Sequence, residues 1–147
     1  YIPGTGANFL LALVDVPASI ASTQVIAGAE SPTGNRFMII LRTTGKVDAG
    51  IGSVSGAGVG PDWRGKSVVV GITNNGAGQY RLFADSEMLT EGGYSGAAAA
   101  NALRLGALNP ESGIAAVFFG GSIKKIIAGR EHLTLARYLQ IRAALLA

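Results

Sequence analysis

The chain has 147 residues, a formal net charge of +3 and only 14% charged residues. That length makes one domain, burying about 70% of the surface that its unfolded chain exposes. The absence of cysteine excludes disulfides, thiolate metal sites and a cysteine nucleophile.

A charged share well below the usual value of about 25% leaves a bland surface. Such a surface predicts contact with another protein or a second copy of the chain. The 22 glycines offer a second explanation, because they dilute charge without adding large apolar groups. The cations are uneven. Arg36, Arg42 and Lys46 balance Asp15, Glu30 and Asp48, whereas Lys124, Lys125, Arg130, Arg137 and Arg142 face only Glu131. These late cations spread over a strand and a helix rather than forming a dense stripe with interleaved aromatics, so nucleic acid is not a predicted partner.

In chain order, Asn8–Asp15 is the first predicted strand. Its apolar run, Phe9–Val14, is too short to cross a bilayer, which takes about 20 residues. No basic segment precedes it, so neither membrane insertion nor a signal peptide is predicted. The opening residue is Tyr1 rather than Met, which predicts a processed product or a part of a longer protein. Thr23–Glu30 and Arg36–Thr43 are the next β-rich runs, and Gly50–Gly60 reads as a loop or a sandwich edge. Lys66–Thr73 and Gln79–Asp85 then form a hairpin around Asn74-Asn75-Gly76-Ala77-Gly78, residues that tolerate positive φ. Alternation places Val68, Val70 and Ile72 on one face and Val69, Gly71 and Thr73 on the other. Gly96–Asn101 reads as a loop or sandwich edge, followed by strand-like Ala102–Ala107 and Ile114–Gly129, the latter broken or bulged at Gly120-Gly121. Thr134 is placed to cap a helix from Leu135 to about Leu146, with Leu135, Leu139, Ala143 and Leu146 on one face, widened by Tyr138, Ile141 and Leu145. Short strands separated by turn residues predict an all-β sandwich or barrel in a single domain, residues 1–147.

From Trp63 onward the motifs follow a recognisable order. Trp63 precedes the alternating strand Lys66–Thr73. Leu82-Phe83-Ala84-Asp85-Ser86 follows, then Leu103-Arg104-Leu105-Gly106. Next comes Phe118-Phe119-Gly120-Gly121-Ser122-Ile123-Lys124-Lys125-Ile126, and Leu133-Thr134 leads into the helix. This order resembles laminin G-like and concanavalin A-like lectin domains. The resemblance implies a two-sheet antiparallel jelly-roll sandwich with a short C-terminal helix. The glycine that follows the family's Asp is Ser86 here, so that turn must differ or carry strain. The family includes glycan binders, adhesion modules and parts of phage tail or fibre proteins, so the likeness speaks to fold more than to ligand.

The residues give little sign of catalysis. A glycoside hydrolase needs two carboxylates about 5–10 Å apart across the sugar. Asp85 and Glu87 sit instead at a predicted hairpin turn. His132 is the single histidine and no GxSxG motif accompanies it, so no catalytic triad is predicted. Asp48, Asp62 and Asp85 are scattered singly, so no metal is predicted, although calcium is known among laminin G-like domains. No cofactor is predicted. The candidate ligand-binding residues are Tyr94, in the glycine-flanked loop Gly92–Gly96, then Trp63, Tyr80 and Arg81. Trp63 also reads as a sandwich-edge packing residue, and Tyr80 and Arg81 as cross-strand pair members. The predicted function is a non-catalytic recognition module, glycan-binding, carried on a larger extracellular or virion protein. The alternative is a structural or oligomerisation domain of a phage capsid, tail or fibre, whose partners are copies of itself or other structural proteins.

Overall fold

The computed structural model describes residues 6–31, 35–52, 55–96, 103–107 and 118–147. Nine strands precede one helix among them: β1 (Asn8–Asp15), β2 (Gln24–Glu30), β3 (Arg36–Leu41), β4 (Val47–Gly52), β5 (Ser67–Asn74), β6 (Gln79–Ala84), β7 (Glu87–Gly93), β8 (Arg104–Leu105), β9 (Ser122–Gly129) and α1 (Leu135–Leu146). They form two sheets, ordered β7-β6-β5-β1-β9 and β4-β3-β2-β8, and every pairing is antiparallel. The fold is the two-sheet sandwich with a C-terminal helix that the sequence predicts.

Alternation builds the core. Leu10, Ala12 and Val14 of β1 and Val68, Val70 and Ile72 of β5 point inward, against Phe37, Ile39 and Leu41 of β3. Each buried large aliphatic side chain contributes roughly 1.5–3 kcal/mol. The other face of the first sheet is also apolar. Phe9, Leu11, Leu13, Val69 and Phe83 form a second cluster with Leu133, Tyr138, Ile141 and Leu145. The helix therefore roofs the outer face of this sheet.

Tyr138 explains how the helix seats. Its ring stacks on Phe83 with centroids 4.4 Å apart and planes 11° from parallel. Its hydroxyl lies 3.0 Å from the Val69 carbonyl oxygen and 2.9 Å from that of Asp85. Gly71 leaves the slot for this ring and for Leu11, since a Cβ there would fall 2.9 Å from Leu11 Cγ and 3.4 Å from Tyr138 Cε2. The packed stripe is thus Tyr138, Ile141 and Leu145, while Leu135 and Leu146 stand 38% and 51% exposed. The packing falls on the Tyr138 side of the predicted face, with Leu139 beside it, because the tyrosine hydroxyl needs acceptors that the leucines do not. Thr134 caps the helix as predicted, its hydroxyl accepting the Arg137 N–H at 3.2 Å.

Two strands lie outside the predicted set, β4 and β7. Val47–Gly52 opens the glycine-rich stretch taken as loop or edge, and β4 is indeed the edge of its sheet. Small residues suffice there because Gly50 lies directly beside the Met38 side chain. β7 follows the Asp85–Ser86 turn, which is tight, with Ala84 opposite Glu87. The left-handed residue is Asp85 itself, at φ 52°, so Ser86 need not replace the family's glycine in that role. Asp is among the side chains that tolerate this region. Arg142 of α1 pairs with the Asp85 carboxylate. Of the predicted Ala102–Ala107 and Ile114–Gly129 strands, Arg104–Leu105 and Ser122–Gly129 are strand; Ala102 and residues 114–117 lie outside the described residues, as do 97–101 of the predicted loop.

The helix entry is held by polar groups. Thr73 Oγ1 accepts the Leu133 N–H at 3.0 Å and lies 2.9 Å and 3.1 Å from the carbonyl oxygens of Asn8 and Glu131. Arg81 donates to the Leu133 carbonyl at 3.0 Å and to Glu91 at 3.1 Å. His132 is half-buried beside this clamp. Its burial, then the Arg81 charge, hold the imidazole below its ordinary 6.5, partly offset by a hydrogen bond to the Asn74 backbone and by Glu91.

Tyr138→Phe is expected to cost about 1–3 kcal/mol, because it removes a buried O–H donor held against the Val69 and Asp85 carbonyls. Urea unfolding measures this, and a loss below about 0.5 kcal/mol would contradict the seating role. For His132 the native pKa is depressed. As pH falls through 6.5 the unfolded chain gains a proton that the folded chain refuses, so stability drops until pH passes the native pKa. His132→Gln is expected to flatten that part of a stability-versus-pH curve; an unchanged slope would assign it to other groups.

Candidate functional site

The end of the sandwich where β1 begins and β5 ends is lined by neutral polar side chains. Asn8 and Asn74 face each other across β1 and β5 and are 1% and 0% exposed. Both belong to the inward-facing series of their strands, so they close the apolar core with amide groups. Buried amides carry a penalty unless paired. The Asn8 backbone N–H donates to Asn74 Oδ1 at 2.8 Å, and the Asn8 amide donates to the Gly6 carbonyl at 2.6 Å. Asn74 Nδ2 donates to the Tyr94 hydroxyl at 3.2 Å.

Tyr94 therefore stands at the mouth of the core, half-buried against it. Its backbone N–H donates to the Gly78 carbonyl at 2.8 Å. Its ring passes over Gly52, whose φ is +54°; a Cβ at Gly52 would sit 3.0 Å from Tyr94 Cδ2 and would collide with the Ser95 carbonyl oxygen. Only glycine meets both demands at once. Gly52 lies opposite Arg36 on β3, and Arg36 opposite Glu30 on β2. Glu30, Arg36, Gly52 and the Tyr94–Ser95 segment thus form one row across the edge of the second sheet. The Glu30 carboxylate is buried and accepts from Arg36 Nε at 3.0 Å, while the Arg36 side chain keeps 26% exposure. A guanidinium carries five N–H donors, so pairing through Nε leaves further donors on Arg36. Gly96 packs close to Asn35 Oδ1, drawing the loop before β3 to the same rim.

The four residues singled out from sequence fall in different places. Tyr94 and Tyr80 come together, for Tyr80 is the register partner of Asn74. The Tyr80 ring packs inward and over Gly92, and burial, then the Asp48 charge, raises its phenol pKa. Arg81 points to the opposite face of β6, where it holds the helix entry. Trp63 lies at the far end of the sandwich, packed against the core, with Lys66 Nζ 5.8 Å from its ring and its backbone N–H donating to the Gly45 carbonyl at 3.0 Å. Beside it, Arg64 holds the Asp62 carboxyl at about 2 through hydrogen bonds from its side chain and backbone.

Asn74, Arg36 and Gly52 are the members that sequence reading passed over. Asn74 stands in an Asn-Asn-Gly run that reads as turn chemistry. Arg36 shares its strand face with Met38, Ile40 and the Arg42 that follows, a period-2 signal that would have placed cations on one face. Arg42 is spent elsewhere, paired with Asp48. The three aspartates considered for calcium, Asp48, Asp62 and Asp85, are each paired with a different arginine. Among the described residues no three histidine or acidic side chains converge as a metal site.

No family model matches the sequence, and no curated protein matches it. Solved structures do match in fold. A mutant Trypanosoma rangeli sialidase displaying trans-sialidase activity aligns with a TM-score of 0.73 and 14% identity, over 97% of this chain and 24% of that one. The chain thus spans about a quarter of the sialidase. The CBM40 of Ruminococcus gnavus IT-sialidase, bound to α2,3 sialyllactose, aligns with a TM-score of 0.70 and 18% identity, over 92% of this chain and 82% of that one. The receptor-binding domain of botulinum neurotoxin mosaic serotype C/D aligns over 95% of this chain and 36% of that one, with a TM-score of 0.64 and 10% identity. By fold, the chain is a lectin-like β-sandwich of the kind found in carbohydrate-binding modules.

Proposed function

We propose that this chain is a non-catalytic glycan-binding module, carried on a larger extracellular or virion protein and distantly akin to laminin G-like and concanavalin A-like lectins. The observation that carries the reading is the extent of its fold likeness. A carbohydrate-binding module is matched over 82% of its length, whereas the sialidase is matched over 24%. The rim around Tyr94 has matching chemistry. An aromatic ring is fixed at its hydroxyl, its backbone and one edge, as a sugar-stacking surface requires. Arg36 adds a cation suited to the carboxylate of an acidic sugar.

Isothermal titration with α2,3 sialyllactose, backed by a glycan array, tests this. Binding is expected without release of free sugar. Tyr94→Ala is expected to weaken it tenfold or more, about 1.4 kcal/mol. No binding to any arrayed glycan would sink the proposal, and turnover of the ligand would make the chain an enzyme.

A second reading, as an assembly domain, draws on Leu105 and Phe118, which are 51% and 67% exposed. Their segments adjoin through the Phe119 N–H to Gly106 carbonyl bond. Light scattering that gives a homo-oligomer, together with a flat glycan array, would favour it; a monomer would not.

A further inference from the structure

Asn74 joins two partners of opposite demand, and this fixes the polarity of Tyr94. The Asn8 backbone N–H, 2.8 Å away, can only donate, so the atom facing it must be the amide oxygen. The amide nitrogen is then the atom 3.2 Å from the Tyr94 hydroxyl. A flipped amide would set N–H against N–H at a site that is 0% exposed. The Tyr94 oxygen therefore accepts from Asn74, and its own proton is left to turn away from Asn74.

We infer that Asn74 is a positioning residue that commits the Tyr94 hydroxyl to act as a hydrogen-bond donor toward a ligand acceptor, such as a carboxylate, carbonyl or ether oxygen. The inference rests on the glycan-binding reading of the same rim and adds its directional rule. A ligand group that can only donate is disfavoured at this point, because it would meet an O–H. The aspartate isostere reverses the arrangement. In Asn74→Asp one carboxylate oxygen still accepts the Asn8 N–H, and the other draws the Tyr94 proton inward, removing the outward donor while leaving the ring in place.

Two readouts test this, one free of ligand. The tyrosine Raman doublet responds to whether a phenol donates or accepts, and subtracting the Tyr94→Phe spectrum isolates Tyr94. The wild-type difference spectrum is expected to show an accepting hydroxyl, and that of Asn74→Asp a strong donor. In titrations with α2,3 sialyllactose, Asn74→Asp and Tyr94→Phe are each expected to lose about tenfold in affinity, and the double variant no more than either. Wild-type affinity in Asn74→Asp alongside a weakened Tyr94→Phe would overturn the inference, as would additive losses. If Asn74→Asp does not fold, the wild-type spectrum decides alone, and a Tyr94 that reads as non-accepting refutes the assignment. Absence of binding in the wild type would strike the glycan reading, while the Raman comparison would still test the polarity.

Discussion

The structure depends on a strand that is apolar on both faces. β1 sends Leu10, Ala12 and Val14 into the core and Phe9, Leu11 and Leu13 outward, and it sits between β5 and β9. Such a strand needs cover on both sides. The second sheet covers one side and α1 the other. A 12-residue helix is marginal in isolation. It forms because docking Tyr138, Ile141 and Leu145 buries the exposed half of β1 and its neighbours. The two elements stabilise each other, and the Gly71 slot with the Val69 and Asp85 carbonyls sets where the helix lies.

The end of β5 links this packing to the binding rim. Thr73 and Asn74 are consecutive, so they face opposite sides of the sheet. Thr73 fastens the helix entry on the outer face, and Asn74 closes the core on the inner face and holds Tyr94. Thr73, through its bond to the Leu133 N–H, thereby ties the helix entry to the strand end that positions Tyr94. The polar rim thus has a rigid support, which lowers the ordering cost of binding.

How much of this was legible in the sequence depended on whether local chemistry settled the matter. The Lys66–Thr73 alternation, the turn at Asn75–Gly78 and the Thr134 cap are local rules, and all appear in the fold. Within the predicted helix face, Tyr138, Ile141 and Leu145 carry the packing rather than Leu135 and Leu146, because the Tyr138 hydroxyl finds its acceptors only in the tertiary structure. β4 was hidden because glycines stand where Met38 fills the space from the neighbouring strand. At the rim, Tyr94 stood out by its glycine-flanked loop. Arg36, Gly52 and Asn74 did not, because their roles arise from pairings across β2, β3, β4 and β5 that no short motif encodes. Trp63 drew attention as an aromatic, yet the fold sets it at the other end of the sandwich.

The central claim is that one rim, built on Asn74 and crossed by the Glu30–Arg36–Gly52 row, receives the ligand. Titrating isotope-labelled protein with α2,3 sialyllactose and following backbone amide shifts tests it most directly. The account predicts saturable shifts centred on Tyr94, Ser95, Gly52, Arg36 and Asn35, with the Trp63 end and the outer face of α1 unmoved. Shifts centred on Trp63 or on α1, or none at saturating ligand, would contradict it.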